Sequence, residues 1–89
     1  MPSTAAAAER DLTVTSFSIH ARAEPGVMPR VLELFAKRGL VPQRWHSTVA
    51  APEPLLAIDI EIAGLDPETA TYIASCMRQI SGVNLVLTA

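Results

Sequence analysis

From Phe17 to Arg22 polar and apolar residues alternate, with Phe17, Ile19 and Ala21 on one phase and Ser16, Ser18, His20 and Arg22 on the other. A period of two predicts a strand with one face against a core. Glu24-Pro25-Gly26 breaks the pattern, and Val27, Met28, Val31, Leu32, Leu34 and Phe35 then recur at helical spacing, with Arg30, Glu33 and Lys37 opposite. Pro29 falls in the first turn of this helix, where its missing N–H breaks no intrahelical bond, and Gly39 follows Lys37-Arg38 as a left-handed cap.

A second strand is predicted from Val41 to Ala50, with Trp45, Ser47 and Val49 on one side; Pro42 at its start suits a sheet edge. Ala51-Pro52-Glu53-Pro54 is a turn. Leu56, Ile58, Ile60 and Ile62 then alternate with Ala57, Asp59 and Glu61, the clearest strand in the chain. Asp66-Pro67 reads as an N-cap followed by a first-turn proline, and Ala70, Ile73, Ala74, Met77 and Ile80 form the stripe of a second helix ending at Gly82. Val83, Leu85 and Leu87, with Val86 between them, predict a closing strand. The order βαββαβ is the split-βαβ, ferredoxin-like pattern of the α+β class: a four-stranded antiparallel sheet with two helices on one face.

Residues 1–11 are expected to be a disordered tail and 12–89 the folded domain, because the tail holds little that could repay ordering entropy. Eighty-nine residues leave no room for a second core. The tail lacks a basic start and a strongly apolar stretch, which argues against a signal peptide, and no run approaches the roughly 18 apolar residues of a membrane span. The one cysteine, Cys76, has no partner for a disulfide, so a cytoplasmic location is expected. Seven Lys+Arg against nine Asp+Glu, for a net charge of −2, argue against nucleic acid as a partner. The charge is uneven: five of the seven cations lie between Arg22 and Arg44, whereas Trp45 to Met77 carries five carboxylates and no Lys or Arg. Such asymmetry either orients a docking partner or is a solvated surface.

Each chemistry the fold hosts must show its residues. The outward strand positions Ser16, Ser18, His20, Asp59 and Glu61 offer no aromatic for base stacking. The first loop, Ala23-Glu24-Pro25-Gly26, holds no thiols for a metal, and no cofactor is implied. His20 and His46 read as solvated strand residues, Asp59 and Glu61 as a solvated face, and Cys76 as a packed small residue, so no catalytic residues are assigned. The informative stretch is Glu24 to Met28. A Pro-Gly pair at a helix N-terminus either exposes backbone N–H groups to a small carboxylate or is only a tight connection.

The stretch from Ala23 to Gly39, with Arg30-Val31, Leu34-Phe35 and Arg38-Gly39 at their spacing, resembles the ACT domain, and most nearly the short small (regulatory) subunits of acetolactate synthase. The resemblance covers about residues 13–89. It implies a non-catalytic subunit that forms a homodimer side by side through the edge strand and first helix, with Pro42, Arg44 and Trp45 at the interface. It implies an amino-acid effector at the seam, between the loop Ala23, Glu24, Pro25, Gly26, Val27 and Met28 and the partner's strand-two start at Val41. It also implies a thiamine-diphosphate-dependent acetolactate synthase catalytic subunit as partner. Ala23 and Val41 stand where valine-responsive members carry asparagines, so weak or no valine feedback is expected. A free-standing amino-acid sensor is the alternative, and a small enzyme or unrelated interaction module the third.

Overall fold

The structure, a computed structural model, describes residues 13–89. The expected tail therefore lies outside the described residues. The elements are β1 (Val14–Arg22), α1 (Val27–Ala36), β2 (Arg44–Ala50), β3 (Leu55–Ala63), α2 (Pro67–Arg78) and β4 (Val83–Thr88). They form one antiparallel sheet in the order β2-β3-β1-β4, the ferredoxin-like arrangement expected. Among the described residues, no helix is long and apolar enough to cross a membrane.

The core follows from the two periodicities. Phe17, Ile19 and Ala21 of β1 and Leu56, Ile58, Ile60 and Ile62 of β3 are buried beneath Val27, Val31 and Phe35 of α1 and Ala70, Ile73, Ala74 and Met77 of α2. No polar or charged residue among those described is buried. Asp66 caps α2: its carboxylate accepts the Thr69 N–H at 2.7 Å and the Thr69 hydroxyl at 3.0 Å. These bonds, the backbone one foremost, hold its pKa below the ordinary carboxylate value. Gly39 takes the left-handed conformation past the end of α1, with φ +67°.

Three expectations are corrected. β2 begins at Arg44, so Val41 and Pro42 form its lead-in instead of its first residues; Pro42 has no N–H for the ladder, and Gln43 N–H is the one that reaches Glu61 O. α2 ends at Arg78, not Gly82, because Gln79 N–H and Ile80 N–H close onto Cys76 O and Met77 O in a tightened last turn. In β4 it is Val86 that is buried, while Leu85 and Leu87 are 44% and 56% exposed on the outer face. A register shift between His20 and Ala21 explains this. Val83 lies opposite Ala21 and Val86 opposite Ile19, so two valines three residues apart both reach the core.

Candidate functional site

The loop between β1 and α1 is a tight turn. Val27 N–H bonds to Glu24 O at 3.1 Å across Pro25-Gly26, and Gly26 sits at φ −79°, ψ −11°, the third position of a type I turn, with no need for a left-handed residue. Ala23 N–H is fixed to Pro54 O at 3.1 Å, which ties this turn to the one between β2 and β3. Glu24 is held by Arg22, with Nε 3.3 Å from its carboxylate. Arg30 folds back so that its Nη1 lies 2.6 Å from where a Cβ on Gly26 would stand. Of the donors at this end of α1, Val27 N–H is consumed by the turn and Pro29 has none, which leaves Gly26 and Met28 N–H without a backbone partner.

Ala23, Glu24, Pro25 and Met28 wall a hollow of 180 Å³, closed on its other side by Val49 of β2 and Leu56 of β3. Complete small-molecule sites run to about 300–1,000 Å³, so this hollow is smaller than a complete one. The remaining loop residues are placed differently. Val27 is fully buried in the core, and Gly26 lies under Arg30. Val41, 84% exposed, is at the opposite end of the domain, since α1 runs the length of the sheet between them. Val49 and Leu56 were not singled out by the sequence reading; the one available signal was an apolar Val49 on the inward phase of an edge strand.

β2 is the sheet edge expected. Even-numbered residues of β3 bond β1 and odd-numbered ones bond β2, so Arg44, His46, Thr48 and Ala50 carry the ladder. Trp45, Ser47 and Val49 accordingly aim their N–H and C=O groups at the open edge. Trp45 lies opposite Ile60 and packs partly on the core, Pro42 is half-buried and Arg44 is exposed, 3.9 Å from Glu61. Val49, on the helix side of this strand, is exposed, and so is Leu32 of α1.

A larger hollow of 420 Å³ lies on the outer face of the sheet, where Ser18 Oγ donates to Asp59 at 3.1 Å and Glu61 faces Arg44. His20 and His46 are exposed on that face, and Cys76 is half-buried on α2. Among the described residues, no three His, Cys, Asp or Glu side chains are grouped to hold a metal.

Solved structures share this fold. The ACT domain of the GTP pyrophosphokinase of Chlorobium tepidum superposes with a TM-score of 0.72 at 13% identity, over 85% of this chain and 96% of that one. The C-terminal domain of the MgtC protein of Mycobacterium tuberculosis gives 0.72 at 13% identity, over 89% and 87%. An uncharacterized protein of Thermotoga maritima gives 0.69 at 20% identity, over 85% and 92%. At these identities the likeness carries the fold alone. No curated protein matches the chain. The model of the ACT-like domain family matches residues 8–88, which supports a small-ligand regulatory role, and the chain belongs to that family.

Proposed function

We propose that this chain is a non-catalytic regulatory ACT module that works as a homodimer in the cytoplasm, binds an acetolactate synthase catalytic subunit and raises its activity in branched-chain amino-acid synthesis. Thiamine diphosphate would belong to that partner. The observation that carries the regulatory reading is the half-walled hollow at the first turn of an ACT-like domain. Pairing is supported by geometry: identical strands related by a two-fold axis run antiparallel. A second copy laid along β2 therefore brings its Val41-Pro42 lead-in toward Val49 and the hollow. The acetolactate synthase partner rests on the motif from Arg30 to Gly39.

Valine feedback is weak or absent in this reading. Ala23 and Val41 offer no side-chain hydrogen bond, and the Glu24 carboxylate is engaged by Arg22. An amino acid's charged groups left unpaired on binding would cost about 1–3 kcal/mol or more. The second reading, a free-standing amino-acid sensor with no catalytic partner, is favoured by the hollow itself.

One experiment separates them. The full chain is titrated into an acetolactate synthase catalytic subunit, with acetolactate formation measured with and without valine. A saturable rise in rate that valine barely reverses supports the subunit reading. An unchanged rate sinks it, and calorimetric titration of amino acids into the chain then tests the sensor.

A further inference from the structure

The sheet has a second edge, β4, and its sequence invites pairing. Residues 79–89 carry no charged side chain, and 83–88 contain no proline. Leu85 and Leu87 are exposed on the strand's outer face. Uncharged, β-prone edge strands of this kind template the addition of further strands, and proteins blunt them with charge, proline or cover.

The bonding pattern fixes which groups face outward. Ser16 and Ala89 exchange both N–H···O bonds at 2.9 Å, and Leu87 and Leu85 follow at two-residue steps opposite Ser18 and His20. The alternate residues Val86 and Thr88 thus turn their backbone groups away from β1. The Val86 carbonyl is not free: Arg78 at the end of α2 reaches over and donates from Nη2 to it at 2.9 Å, in a half-buried bond.

We infer that Arg78 is the guard of the β4 edge, closing it to a second copy of the chain. An incoming strand must displace the guanidinium from the Val86 carbonyl and bring its own backbone against a cation. Removing the guanidinium leaves an open acceptor in an uncharged strand. This inference does not depend on the β2 pairing proposed above, because it concerns what the opposite edge excludes.

The test is the solution mass of the full chain by light scattering across a concentration series. Arg78→Met and Arg78→Gln both keep good helix formers at the position, and circular dichroism reports whether each is folded. The expected result is a weight-average mass that rises with concentration to at least twice the wild-type value. Arg78→Lys, which keeps a charged donor, stays at the wild-type mass. Adding Leu87→Lys to Arg78→Met brings the mass back, since charge on an edge strand opposes pairing. The inference is overturned if either folded variant, Met or Gln, keeps the wild-type mass throughout. It is overturned equally if Leu87→Lys fails to reverse the association. A wild-type chain that is monomeric would refute the β2 dimer without touching this result, since the variants would still double in mass.

Discussion

Phe17 of β1 and Phe35 of α1 meet edge to face, with ring centroids 5.9 Å apart and planes at 63°, and both are fully buried. The pair joins the central strand to the helix that carries the candidate turn. Phe35→Ala is expected to destabilise the domain by about 3–5 kcal/mol, a large part of what so small a chain has. Phe35→Leu is expected to cost about 1–2 kcal/mol, since it keeps most of the apolar volume and loses the ring contact. Urea unfolding followed by the fluorescence of Trp45 measures both; a Phe35→Leu variant as stable as wild type would show that the edge-to-face geometry contributes nothing of its own.

The cap on α2 gives a pH dependence of known sign. Asp66 has a depressed pKa because Thr69 donates to its carboxylate from both backbone and side chain. Its contribution is therefore fully present above the unfolded carboxylate value of about 3.9 and is lost as pH falls through the folded value. Asp66→Asn keeps a capping side chain that does not titrate. Thermal unfolding of wild type and variant between neutral and acidic pH should converge as the pH drops, and parallel curves would refute the assignment.

Two glycines near the turn should respond in opposite ways. Gly26 has an ordinary φ, and an added Cβ meets only the far end of Arg30, which swings into solvent; Gly26→Ala is expected within about 0.5 kcal/mol of wild type. Gly82 sits at φ +96°, and its Cβ would lie 2.9 Å from Glu24 Oε1 and 3.4 Å from Val27. Gly82→Ala is expected to cost about 1–3 kcal/mol. Denaturant midpoints decide, and a costly Gly26→Ala would mean that Arg30 is fixed where it lies.

The open edge makes its own prediction. Ser47 N–H points away from β3, so Ser47→Pro removes no bond within the chain but blocks a strand laid beside it. At a concentration where the wild type sediments as a dimer, the variant should sediment at half that mass with an unchanged circular dichroism spectrum. A dimer that survives the substitution would place the interface elsewhere.

Most of this architecture was legible along the chain because its elements have clean periods. Phe17 to Ala21 and Leu56 to Ile62 alternate without a break, and Asp66-Pro67 marks the start of α2 with the chemistry a helix needs there. The phase of β4 was not legible. Val83, Leu85 and Leu87 outnumber the apolar residues of the other phase, and only the register shift opposite His20 and Ala21 brings Val86 inward. At the candidate site the loop could be read, since Pro25-Gly26 names a turn. Its far wall could not, because Val49 and Leu56 reach Met28 only after the sheet has formed. Arg78 is a similar case: its bond to Val86 depends on a helix end and a strand lying side by side, which no local pattern encodes.

The absence of any buried polar or charged side chain among the described residues also limits how this domain communicates. Among the described residues, its interior holds no titratable side chain whose protonation could alter the packing. In the proposed regulatory reading, a message arriving at the turn before α1 would travel as a displacement of whole elements, helix against sheet. The domain would then behave as a mechanical coupling whose output is felt at its rims.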